Sequence, residues 1–120
     1  MTTYDIAISL VDQGGGGTRG TFRQILATST PSPSITDCDY LGLVACDSKD
    51  AFNGEFRVPI LPSAVTQVFE VNVFKSDDTT NSVIVTDGVN DIYTFTTKDF
   101  VVRFMVGNNT VYPVGVLPQD

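Results

Sequence analysis

Apolar residues fall at every second position along much of this chain, which is the spacing of a β-strand with one buried and one wet face. In residues 3–11, Tyr4, Ile6, Ile8 and Leu10 share one face and Asp5, Ala7 and Ser9 the other. In residues 64–75, Val65, Phe69, Val71 and Val73 alternate with Thr66, Val68, Glu70 and Asn72. In residues 99–106, Phe100, Val102, Phe104 and Val106 alternate with Val101, Arg103 and Met105. A helix would bring apolar residues together three or four positions apart, so these segments are read as strands.

Turn chemistry connects them. Asp87-Gly88 lies between two β-branched and aromatic runs and predicts a type I′ hairpin turn, which needs positive φ at both central residues. Gly107, Asn108 and Asn109 separate the Phe100 strand from a last strand near 110–116, and the polar run SDDTTN at 76–81 joins the Val65 and Val83 strands. Residues 64–116 therefore read as an antiparallel meander. The first half is less regular. Phe22, Ile25 and Leu26 have helical spacing, yet the Thr and Ile content of TFRQIL favours a strand. Pro31 and Pro33 make the following TSTPSPS a loop. YLGLVA at 40–45 and EFRVPI at 55–60 are further strands, the second an edge because Pro59 has no N–H to donate.

The expected architecture is a single all-β domain over residues 1–120: an antiparallel β-sandwich, jelly-roll or immunoglobulin-like, or a small closed barrel, of about seven or eight strands. With 120 residues, 42% of them hydrophobic and 18% charged, the chain has material for one packed core without staples. Cys38 and Cys46 on one continuous strand would lie roughly 26 Å apart, beyond the reach of a disulfide, and two buried thiols are expected.

Charge narrows the partners. Fourteen acidic against seven basic residues give a net charge of −7, which repels a phosphate backbone, so no nucleic acid partner is expected. No apolar run approaches the roughly 20 residues of a membrane span, so no membrane partner is expected either. The opening MTTYDIAISL has neither a basic nor a long apolar stretch, and synthesis in a cytoplasm is the expectation.

Catalysis finds little material. Without histidine there is no Ser-His or Cys-His nucleophile pair and no common zinc site, and no two carboxylates stand out as an acid and base pair. The chain is read as a non-enzyme with no catalytic residues, no metal site and no cofactor. The oxygen-rich runs DCD at 37–39, DSKD at 47–50, SDD at 76–78 and DGVND at 87–91 lack EF-hand spacing and are read as turns. GGGGTRG at 14–20 follows a strand, but no phosphate-binding Lys and no long helix come after it, so it is read as a loop between strands.

The functional expectation is a structural or assembly protein, a virion component of a virus or phage (capsid decoration, head or tail) that touches copies of itself or other proteins of the assembly. The contact residues expected are Gly15, Gly16, Arg19 and Arg23 with Val114, Val116 and Leu117 of the uncharged C-terminal run, an edge that needs a cover. The alternative is a carbohydrate or other ligand-binding module using Asn90, Asp91 and Tyr93, an amphipathic ring beside an amide and a carboxylate.

Overall fold

The computed structural model describes residues 22–28, 33–36, 42–61 and 68–118. The alternating segment at 3–11, the glycine loop at 14–20 and Cys38 lie outside these residues. Within them run eight strands: β1 (Phe22–Leu26), β2 (Leu43–Asp47), β3 (Glu55–Pro59), β4 (Phe69–Lys75), β5 (Ser82–Thr86), β6 (Asp91–Phe95), β7 (Phe100–Gly107) and β8 (Thr110–Pro118). Among the described residues the helical geometry is confined to a 3-10 turn at Phe52–Gly54. Phe22–Leu26 forms a strand, as the β-favouring content of this stretch suggests.

Over the described residues the chain is all-β, in two mixed sheets that do not close into a barrel: one of five strands, ordered β1-β2-β4-β7-β8, and one of three, ordered β3-β5-β6. The expected all-antiparallel pairing is corrected, because β1 with β2, β2 with β4 and β3 with β5 are parallel. The reason is the route of the chain. From β1 it visits the smaller sheet at Ile35, which bridges Ile60 beside β3, and then goes to β2, across to β3, back to β4 and across to β5. Each crossing reverses direction, so strands that return to the same sheet point the same way. The crossover that a parallel pair needs is supplied by a strand of the facing sheet, where a helix is the usual solution.

The meander expected over 64–116 is broken for the same reason: β4 and β5 lie in different sheets, and β4 pairs antiparallel with β7. Among the described strands, only β5-β6 and β7-β8 are consecutive hairpins. The type I′ signature belongs to the second of them, where Asn108 (φ 50) and Asn109 (φ 59) both stand in the left-handed region between Gly107 and Thr110. At Asp87-Gly88 only Gly88 has positive φ, and the connection is the longer turn Asp87 to Asn90, closed by Asp87 N–H donating to the Asn90 carbonyl at 3.0 Å.

Both sheets contribute to one core. Ile25, Val44, Val71, Val73, Val102, Phe104 and Val111 from the larger sheet pack with Phe56, Val58, Val83, Val85 and Phe95 from the smaller. The outer face of the larger sheet carries a second buried cluster, Leu43, Ala45, Phe74 and Val101. β2 is accordingly apolar on both faces, and β4 is buried on both from Val71 to Lys75 although its outward phase includes Asn72, against the one-sided burial that alternation predicts. At the other extreme, Phe100 keeps the apolar phase of β7 but is 41% exposed. Five strands cannot be covered by three, and the inner face at the β7-β8 end extends past the smaller sheet.

Candidate functional site

β8 is an edge of the larger sheet and pairs with β7 alone among the described residues. Its start is fixed by the Asn108-Asn109 turn, and its length by β-favouring Thr110, Val111 and Tyr112 followed by VGVL. The register shifts opposite Arg103 and Phe104, which pair with Gly115 and Pro113, so Val114 is the extra residue of a bulge. A bulge and a proline without an N–H are common protections of a bare edge. They interrupt the ladder here without adding any charge, since Thr110–Pro118 contains no charged residue.

Beyond the buried Val111, the side chains of β8 are half-buried or exposed. Tyr112 is 59%, Val114 53% and Val116 47% exposed, and Leu117 is half-buried. Val116 stands opposite Val102 and Pro118 opposite Phe100, so Phe100, Val116 and Pro118 share the uncovered part of the inner face. Val116 faces inward while Leu117, opposite Val101, faces outward, so the two lie on opposite faces of one uncharged edge strand that also carries the bulge residue Val114. Arg23 is elsewhere, on β1 at the far side of the same sheet, where its Nη1 donates to the Ser34 carbonyl at 3.1 Å. Gly15, Gly16 and Arg19 lie outside the described residues.

The residues of the alternative ligand site are adjacent but already engaged. The Asn90 backbone N–H donates to Asp87 Oδ1 at 2.7 Å. Asp91 pairs with Arg57 at 2.5 Å. The Tyr93 ring is half-buried, edge-on to Phe95 and Phe104 with centroids 4.8 and 6.5 Å away. Its ring closes one side of the core, and such contacts contribute to packing.

A polar cluster that the sequence pattern did not reveal lies at the C-terminal end of β4. Lys75 continues the inward phase of Val71 and Val73 and is fully buried. Its Nζ donates to Asp77 Oδ2 at 2.9 Å and to the carbonyls of Asp77 and Thr79, each at 2.8 Å. Asp77 Oδ1 accepts from Ser48 N–H at 2.7 Å and Ser48 Oγ at 2.8 Å, while Oδ2 also accepts from the N–H and hydroxyl of Thr79. Asn81 Nδ2 donates to the carbonyls of Ser48 and Lys49 at 2.8 and 3.1 Å. The runs DSKD and SDD, read separately as turns, are therefore one unit. The available signal was a cation in an apolar phase, which demands a counter-charge close by. Burial pushes the Asp77 carboxyl up, but the hydrogen bonds from Thr79, Lys75 and Ser48 together outweigh it and hold the group well below the usual carboxylate range.

Beside this unit a polar cleft of about 470 Å³ opens between residues 77–80 and 96–99, bridged by Lys98 Nζ and Asp78 Oδ1 at 2.5 Å. Among the described residues no group of three or more His, Cys, Asp or Glu side chains is placed to hold a metal. Comparison of the chain with protein-family models, with curated proteins and with solved structures finds no match.

Proposed function

We propose that this chain is a non-enzymatic assembly protein that works through protein-protein contacts made by the β8 rim, with copies of itself or with other proteins of a larger particle. The observation that carries the reading is the uncharged edge strand Thr110–Pro118, with Tyr112, Val114 and Val116 about half exposed beside Phe100. An apolar edge of this length is a template for another chain, and a solvated edge is ordinarily charged or covered. The bulge at Val114 disfavours a continuous added strand and favours side-chain docking on the inner-face ledge of Phe100, Val116 and Pro118. In its most specific form the reading is a virion component of a virus or phage, since shells and tails are built from repeated contacts of one chain. The two sheets on a common core support a β-sandwich as the scaffold, and the parallel pairs set it apart from an all-antiparallel jelly-roll or immunoglobulin-like arrangement.

A non-enzymatic role is supported by the use of the carboxyls. The ones held low, Asp77 and Asp87, are occupied in hydrogen bonds that shape their own turns. The ligand-module alternative has less support, with Asp91 in an ion pair and Tyr93 packed on the core. Sedimentation velocity over a wide concentration range tests the assembly reading. The wild type is expected to associate, and Val116→Lys, which places a charge on the ledge while leaving the core intact, is expected to stay monomeric with an unchanged unfolding midpoint. A wild type that remains monomeric at high concentration, and that fails to bind any particle formed in its host, overturns it.

A further inference from the structure

We propose that the turn from Lys75 to Asn81 is a cation site whose resident ion is the chain's own Lys75 ammonium, and that the cage takes a free monovalent cation of ammonium or potassium size when that side chain is removed. This goes beyond the assembly reading and does not rest on it.

The cage is defined by the ligands of Lys75 Nζ: the Asp77 carbonyl, Asp77 Oδ2 and the Thr79 carbonyl, at 2.8, 2.9 and 2.8 Å. An ammonium has three N–H donors, and here each has an oxygen. The group is fully buried, so the oxygens replace its entire hydration shell, as protein oxygens do for a bound metal ion. They are also held in place independently of the lysine. Asp77 is fixed through Oδ1 by both donors of Ser48, and Thr79 by its N–H and hydroxyl on Oδ2. The second turn is tied in by Asn81, whose amide reaches the carbonyls of Ser48 and Lys49.

Distance and charge select the class of ion. Calcium binds its oxygens at 2.3–2.6 Å, whereas the oxygens here stand at 2.8–2.9 Å around a single carboxylate. One negative charge in a buried site balances one positive charge, so a divalent ion would remain uncompensated. The wild-type site is filled from within the chain and needs no ion from solution.

Lys75→Ala tests this by removing the ammonium and most of its stem while leaving the oxygens. At constant ionic strength, ammonium or potassium chloride is expected to raise the melting temperature of the variant saturably, by several degrees well above its Kd. Choline chloride, whose cation is too large, is expected to have no such effect, and the wild type is expected to respond to none of the three. Equal responses to all three salts, the same response in the wild type, or a stronger response to calcium than to ammonium overturns the proposal. Should Lys75→Ala fail to fold in every salt, the wild type itself decides: a nitrogen-15 correlation spectrum is expected to show one slowly exchanging lysine ammonium at neutral pH, lost in Lys75→Arg. A spectrum without that signal overturns the proposal as well.

Discussion

Two acidic turns of similar composition, SDDTTN at 76–81 and DGVN at 87–90, do different work in this protein. In both, an aspartate accepts backbone hydrogen bonds: Asp77 from Ser48 and Thr79, Asp87 from Val89 at 2.9 Å and Asn90 at 2.7 Å. In both, the carboxyl is held below its ordinary value, Asp87 by the Asn90 and then the Val89 backbone N–H. The difference is what lies beneath. Asp87 folds a surface turn back on itself within four residues. Asp77 neutralises a buried ammonium and reaches residue 48, so it joins two turns that are far apart in sequence. A carboxylate matters to stability in proportion to the charge it leaves behind when it is removed.

Asp77→Ala sharpens this contrast most. It leaves the Lys75 ammonium buried without its counter-charge, and breaking a buried pair in this way costs about 3–5 kcal/mol. Urea unfolding is expected to show the loss as a lower midpoint with an unchanged slope. A loss below 1 kcal/mol would place the pair with surface ion pairs and erase the distinction.

Acid reaches the same interaction without a mutation. The folded-state carboxyl of Asp77 lies below the ordinary aspartate value of 3.8. Its stabilising contribution is therefore complete above that value and is lost as pH falls through it toward the folded value. Stability measured from pH 6 down to pH 2 is expected to drop below about pH 4, and Asp77→Asn is expected to flatten that part of the curve. An identical acid limb in both proteins would assign the drop to other carboxyls.

Ser48→Ala is expected to have a smaller effect, about 1.5–3 kcal/mol, since it removes one hydroxyl bond to a charged acceptor and leaves the backbone N–H in place. Asp87→Ala is expected to have the smallest, a midpoint shift well short of the Ser48 variant in the same unfolding experiment, because water can satisfy the exposed N–H groups of Val89 and Asn90. If Asp87→Ala proves as damaging as Asp77→Ala, burial is not what separates the two turns.

How far the sequence could be read follows the same line. The strands at Phe22–Leu26, Glu55–Pro59, Phe69–Lys75, Phe100–Gly107 and Thr110–Pro118 were visible because alternation and β-branched content are local properties. The edge position of β8 was visible too, in Pro113, Pro118 and the absence of charge. The Lys75 unit was not, although its residues were in plain view. Ser48 and Asp77 are brought together only because β2 and β4 are neighbours in the larger sheet, in register so that Cys46 faces Lys75.

Local pattern alone set where most of the described strands lie, which side of most of them is apolar, and the all-β character of the described residues. These follow from steric preferences and hydrophobic burial acting over a few residues. Tertiary structure alone decided which strands pair, in which direction, and which polar residues meet. Pairing depends on the path the chain takes between two sheets, and a period of two is the same whether a strand's neighbour runs parallel or antiparallel. For that reason the mixed sheets, the exposure of Phe100 beyond the smaller sheet and the enclosure of Lys75 became visible only in three dimensions.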